Sequence, residues 1–150
     1  MKNVFKITDT AEIIKRIEKL EPSSQPSWGK MNVAQMLAHC NVTYEFIYDG
    51  IHPKAKAIKK FLLKLFVKGI VVGDKPYKKN SPTAPEFIVA DEKQFEVEKK
   101  RLIEYINKTQ QLGESYFDKK ESHSFGVLSK KEWNTMFAKH LDHHLSQFGV

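Results

Sequence analysis

Cysteine is almost missing from this chain of 150 residues: Cys40 stands alone, so there is no internal disulfide, and a reducing compartment is the natural setting. Any metal site must therefore be built from nitrogen and oxygen donors, and six histidines are available for it. Long apolar runs are missing too, since none approaches the ~18–20 residues that a membrane span needs. The opening stretch, Met1 to Leu20, alternates charged and apolar residues from Lys2 onward and carries no secretory pattern, which predicts a cytoplasmic location. Residues 1–150 with 41% hydrophobic content suit one globular domain able to bury a real core.

Acids are scarce in one place only. From Lys54 to Lys79 there are nine lysines against a single acid, Asp74. The formal net charge of +7 is thus a local basic segment, with the remainder near neutral. That distribution argues against a dedicated nucleic-acid binder, whose basicity is normally spread over the fold.

Four segments carry helical periodicity together with end signals. The first is expected from Asp9 to Leu20, with Ile13, Ile14, Ile17 and Leu20 as its stripe, Asp9 and Glu12 as a capping box and Pro22 as its stop. The second should start at Asn32, with Gln35 as reciprocal cap, and run through Leu37, Cys40, Tyr44 and Ile47 to Gly50. A third is expected from Asp91 to Leu112, capped by Asp91 and Gln94 and closed by Gly113. The fourth should begin at Ser129, with Glu132 completing its box and Leu128 stapling to Trp133, and extend to Gln147. No run of alternating strand residues stands out, so the expected fold is an all-α four-helix bundle.

Between the second and third helices lie about 40 residues, Gly50 to Ala90, too many for a simple turn, and a long basic crossover is predicted. Ala57 to Phe66 reads as a short helix burying Ile58, Phe61, Leu62 and Leu65, with its lysines in water. The competing reading is a basic amphipathic stretch that lies on an anionic membrane or a nucleic-acid backbone. Gly73 to Pro85, rich in Pro, Lys, Asn and Ser, should run over the surface.

The most informative stretch is the last one. His140, His143 and His144 fall within five positions, and His140 and His144 lie one turn apart. On a helix of about 100° per residue, Trp133, Met136, Phe137 and His144 all fall within about 60° of His140, so two imidazoles share an apolar stripe. Two such rings need partners, and a divalent metal suits them. Backbone or carboxylate hydrogen bonds suit them as well, and spacing alone leaves both readings open. A third ligand should come from another helix, and His39 is the best-placed candidate, although it sits on the shoulder of its helix beside Thr43, Phe46 and Met36. His143 is expected beside the site or on the surface, His123 in a loop able to reach the bundle mouth, and His52 as ordinary loop polarity. Cys40 reads as a packed thiol.

Met31-Asn32-Val33-Ala34-Gln35-Met36-Leu37-Ala38-His39, followed ~100 residues later by Glu132-Trp133 and by Lys139-His140-Leu141-Asp142-His143-His144-Leu145-Ser146-Gln147-Phe148-Gly149-Val150, resembles the DinB/YfiT-like superfamily of metalloenzymes. More narrowly, it resembles a bacterial branch of unknown function with a KHLDHHL-x-QFG ending. Asn80-Ser81-Pro82-Thr83-Ala84-Pro85 and the stretch from Phe95 to Leu102 carry the same likeness. The resemblance implies a four-helix bundle with a long crossover. It also implies a divalent metal, nickel or zinc, held by His39, His140 and His144. Some relatives are transferases or isomerases that use low-molecular-weight thiols.

Three neutral imidazoles leave a divalent ion its full charge and an exchangeable position, suited to activating a water or a substrate thiol. Hydrolysis requires a base, no HExxH-type Glu accompanies the pair, and Asp142 points away from the stripe. The expected function is therefore a metal-dependent transferase acting on a small-molecule substrate, with crossover lysines receiving an anionic thiol such as glutathione or bacillithiol. The alternatives are a hydrolase, a non-enzymatic metal-binding module, or a helical module for anionic surfaces. A homodimer is compatible with every one of these.

Overall fold

Asn32 and Ser129 start the two helices that carry the histidines, and each does so by closing first-turn N–H groups that would otherwise lack acceptors. In the computed structural model, which describes residues 1–53 and 56–150, Asn32 Oδ1 accepts from the Gln35 backbone N–H (2.9 Å) and Gln35 Oε1 accepts from that of Asn32 (3.1 Å). Ser129 and Glu132 repeat the arrangement, with Glu132 Oε2 2.8 Å from the Ser129 nitrogen. Each such box contributes about 1 kcal/mol and fixes where the helix begins.

The described chain runs α1 (Ile7–Glu18), α2 (Val33–Tyr48), α3 (Ala57–Phe66), α4 (Lys68–Val72), a 3-10 turn (Pro85–Phe87), α5 (Phe95–Phe117), a hairpin of β1 (Lys120–Ser122) and β2 (Gly126–Leu128), and α6 (Lys130–Gln147). It is mostly helical, in keeping with the all-α expectation. α2 packs along α5 and α6, and α1 lies against the same two helices. One apolar core joins them, from Ile13 and Ile17 through Met36, Leu37 and Tyr44 to Leu102, Ile106, Phe137 and Leu141. Tyr44 is stacked between Tyr105 (5.5 Å) and Phe137 (5.2 Å), so aromatic faces run from α5 through α2 into α6. Twelve of the sixteen residues of α2 are buried, which makes it a central helix with no solvent stripe of its own.

Several boundaries differ from the sequence expectation. α1 spans Ile7–Glu18 without a capping box, because Asp9 Oδ2 accepts from the Asn3 backbone N–H (2.7 Å) and Glu12 pairs with Lys2. α5 begins at Phe95, four residues later than expected: Asp91 pairs with Lys93, and Gln94 makes no side-chain cap. Gly113, at φ +72° and ψ 172°, breaks the long helix where the sequence places its end, and a further helical stretch continues α5 to Phe117. The hairpin was not expected at all. Its strands are three residues each, too short to show alternation, and they pair antiparallel with Glu121 opposite Val127.

The crossover departs most. α3 does form, but Ile58 (78% exposed), Phe61, Leu62 and Leu65 face solvent and are not buried. The helix rests on the core through Leu63, followed by Val67, while Lys59 pairs with Glu86 and Lys60 with Glu121. These anchors turn the wider apolar face outward. Lys54, the first residue of the basic segment, lies outside the described residues. Gly73 to Pro85 is mainly exposed, as expected, except that Tyr77 turns inward. No helix among the described residues is long and apolar enough to cross a membrane.

Candidate metal centre

Because α2 is buried all round, its polar side chains must find partners inside the protein. His39, 4% exposed, finds α6: its Nε2 lies 2.9 Å from His140 Nε2. His144 completes the group, with its ring centroid 4.5 Å from that of His39 and 4.9 Å from that of His140. One ring nitrogen from each of His39, His140 and His144 lies within 4.8 Å of the other two. A point between them is about 2.5–3 Å from each, against ~2.0–2.1 Å for a Zn–N bond, so rotations of under about 1 Å bring all three to bonding distance.

The other nitrogen of each ring decides what this one can do. His39 Nδ1–H donates to the Phe87 carbonyl (2.8 Å), an acceptor only, which leaves Nε2 with a bare lone pair. His144 Nδ1–H donates to Gln147 Oε1 (2.8 Å). The Gln147 amide cannot flip, because its nitrogen donates to the Trp28 carbonyl at 2.6 Å. His140 Nδ1 lies 3.1 Å from the Thr43 hydroxyl. Three oxygens therefore hold three Nδ1 atoms and leave the Nε2 lone pairs available, with at most one proton, on His140, to share. Outer acceptors that fix tautomer and ring orientation are the usual support of metal-binding histidines, and this donor set fits a divalent ion.

The electrostatics agree. Burial lowers the pKa of His39, puts that of His140 well below the ordinary value, and brings that of His144 down to about 3. All three rings are thus neutral at pH 7, the form that can bind a cation. Glycine also has a part here. Gly29 sits at φ +84°, and a Cβ there would come within 2.6 Å of Gln147 Nε2, so the loop after Trp28 can approach the amide only as glycine.

The crossover closes over the group. The Phe87 ring stands 5.4 Å from His39 and 6.0 Å from His140, and the Tyr77 ring stands edge-on 6.5 Å from His140. Lys139, buried and adjacent in sequence to His140, donates to the carbonyls of Ile70 (2.7 Å), Gly73 and Lys75 (3.1 Å), which ties the crossover to α6. His143 is half-buried between Tyr77 (5.6 Å) and Trp28 (5.9 Å) and stays outside the three-nitrogen group.

A family model described as a protein of unknown function, DUF1569, matches residues 1–149. The chain belongs to the DUF1569 family. No curated protein and no solved structure matches it. Within this DUF1569 chain, the remaining histidines go elsewhere. His123 Nε2 donates to the Pro53 carbonyl (2.9 Å) and its ring packs on Phe46, so it is not part of the group. His52 is more than loop polarity, since its Nε2 lies 2.8 Å from the buried Glu45 carboxylate. Cys40 is buried with Sγ 3.8 Å from Met36 Sδ, a packed thiol whose pKa burial raises. Asp142 points away, as its wheel position predicts, and pairs with Arg16 at 2.7 Å.

Sequence reasoning missed Thr43, Gln147, Phe87 and Tyr77. Two of them carried a signal: Thr43, four residues after His39, shares its face toward α6, and Gln147, three after His144, is within reach of that ring. Phe87 acts through its backbone carbonyl, which no side-chain pattern reveals.

Proposed function

We propose that this DUF1569 chain is a divalent-metal-dependent enzyme of the DinB/YfiT-like kind, with His39, His140 and His144 as ligands of nickel or zinc. In this reading α1, α2, α5 and α6 are its four-helix bundle. The observation that supports it is the convergence of three ring nitrogens within 4.8 Å, each ring held from behind by an oxygen. When bound, a divalent ion supplies a Lewis acid with an open position, able to lower the pKa of a coordinated thiol or water.

The chain's own residues narrow the chemistry. The group contains no carboxylate, and Asp142 is engaged by Arg16, so among the described residues no carboxylate base belongs to it. Thiol activation needs no separate base, which favours transfer from a low-molecular-weight thiol over hydrolysis. Lys79 lies 4.1 Å over the Trp28 ring, next to His143, and supplies positive charge beside the group for an anionic thiol such as glutathione or bacillithiol. The Tyr77 and Phe87 rings stand beside the imidazoles.

Two measurements test this. Elemental analysis of protein purified without a His tag should give about one transition-metal ion per chain, lost in His140→Ala. Equal, trace content in both would remove the metal reading. Loaded protein should then turn over an electrophile with a thiol from a broad panel, and metal-loaded protein inert across that panel would leave binding without catalysis.

A further inference from the structure

α3 carries two apolar faces, and only one of them is used. Leu63 packs on the core, as does Val67 just beyond the helix, while Ile58, Phe61, Leu62, Leu65 and Phe66 are between 47% and 78% exposed. On a helix of about 100° per residue these five fall within an arc of about 140°, opposite the anchored face. Ile70 of α4 is exposed as well, at 63%. Single exposed apolar residues are ordinary, but five large ones within one arc of a helix form a patch of the kind that binds something.

The charges bordering the patch select the partner. Lys59 lies along one edge of the arc, and Lys64 and Lys68 along the other, all within a segment of nine lysines and one acid. Among the described residues no ion pair engages Lys64, Lys75 or Lys78, while Lys59, Lys60 and Lys68 are tied to Glu86, Glu121 and Glu132. A second copy docking through this face would bring two lysine borders together, at a like-charge cost. An apolar ridge between basic edges is instead complementary to a surface that is apolar inside and anionic at its rim. We infer that α3 and α4 dock this protein in the plane of an anionic lipid bilayer, with Phe61, Leu62, Leu65 and Phe66 entering the headgroup–acyl boundary and Lys64 at the phosphates. The inference is independent of the histidine group, because no residue of the patch belongs to it.

Co-sedimentation with vesicles of phosphatidylcholine containing phosphatidylglycerol tests the docking, with pure phosphatidylcholine vesicles and duplex DNA as controls. Binding is expected to the anionic vesicles and to weaken in high salt. Phe61→Asp with Phe66→Asp should lower partitioning about a hundredfold, and Lys64→Ala about fivefold. Both Phe positions are solvent-exposed, so circular dichroism and thermal melting should be unchanged, which separates lost docking from lost fold. Any of four results would overturn the inference: no binding to anionic vesicles, equal binding to neutral ones, retention by the double Asp variant, or binding to duplex DNA without vesicles. A concentration-dependent dimer abolished by the same double substitution, without vesicle binding, would assign the face to a second copy instead.

Discussion

On one side of α2, Asn41 and Glu45 face α5; on another, His39 and Thr43 face α6. In the first region, buried Glu45 and Glu98 receive Arg101, whose Nη2 lies 2.6 Å from Glu45 Oε1 and Nη1 2.8 Å from Glu98 Oε2. His52 adds a further contact to Glu45, and Asn41 donates to Glu98 at 2.8 Å. Two carboxylates are buried there around one guanidinium. The second region buries three neutral bases whose ring nitrogens converge, and Lys139, next in sequence to His140, is committed to crossover carbonyls. The lesson is that a buried polar cluster declares its need by what it lacks. The carboxylate region pairs its charges within the chain and leaves one amide oxygen, Asn41 Oδ1, without a partner, while the imidazole region presents converging ring nitrogens that could hold a metal ion.

That contrast can be broken in stages. His140→Ala should have the largest effect, lowering metal affinity by more than about a hundredfold, beyond the range for residues that merely orient a ligand; the metal-to-protein ratio after dialysis reads it. Arg101→Ala should do the opposite. It strands two buried carboxylates and should cost about 3 kcal/mol of stability, seen in urea unfolding, while the folded fraction keeps its metal. Next comes Gln147→Leu, which frees the His144 ring and should weaken metal binding by about 10- to 100-fold. Gly29→Ala should act in the same direction by displacing that amide, and a Gly29→Ala protein with wild-type affinity would refute the role given to Gln147.

Acid should act more gently and selectively. A protonated imidazole has no lone pair for the ion, so lowering pH releases metal. The stripped protein should also lose stability as pH falls below the ordinary histidine value of 6.5 toward about 3, where His144 titrates in the fold. The unfolded chain takes up protons over that window and the folded one resists, so the sign is destabilisation on acidification. The smallest effect belongs to Thr43→Val, about tenfold on affinity, measured by competition with a chromogenic chelator.

What could be read from the residues, and what could not, follows from how local each feature is. Asn32 with Gln35 and Ser129 with Glu132 are reciprocal pairs within one turn, so their helices start where the pattern says. Asp9 with Glu12 looks the same on paper, yet distant partners take both side chains: Asn3 engages Asp9 and Lys2 engages Glu12. The orientation of α3 was also misjudged, because a helix with two apolar faces does not announce which one the protein takes. The His140 and His144 pair stands out in a short window. His39 was ambiguous for a physical reason, since a helix buried on every side has no single stripe for a wheel to locate. The grip on His39 from Phe87 is invisible in sequence, being a backbone carbonyl brought from 48 residues away.

Phe87 combines two duties on one residue. Its carbonyl holds the tautomer of His39 while its ring shields His39 and His140 from solvent. Because one residue carries both contacts, a shift of the backbone at Pro85–Phe87 would release the His39 Nδ1–H together with the ring beside it, so the 3-10 turn couples the cover over the group to the tautomer of His39.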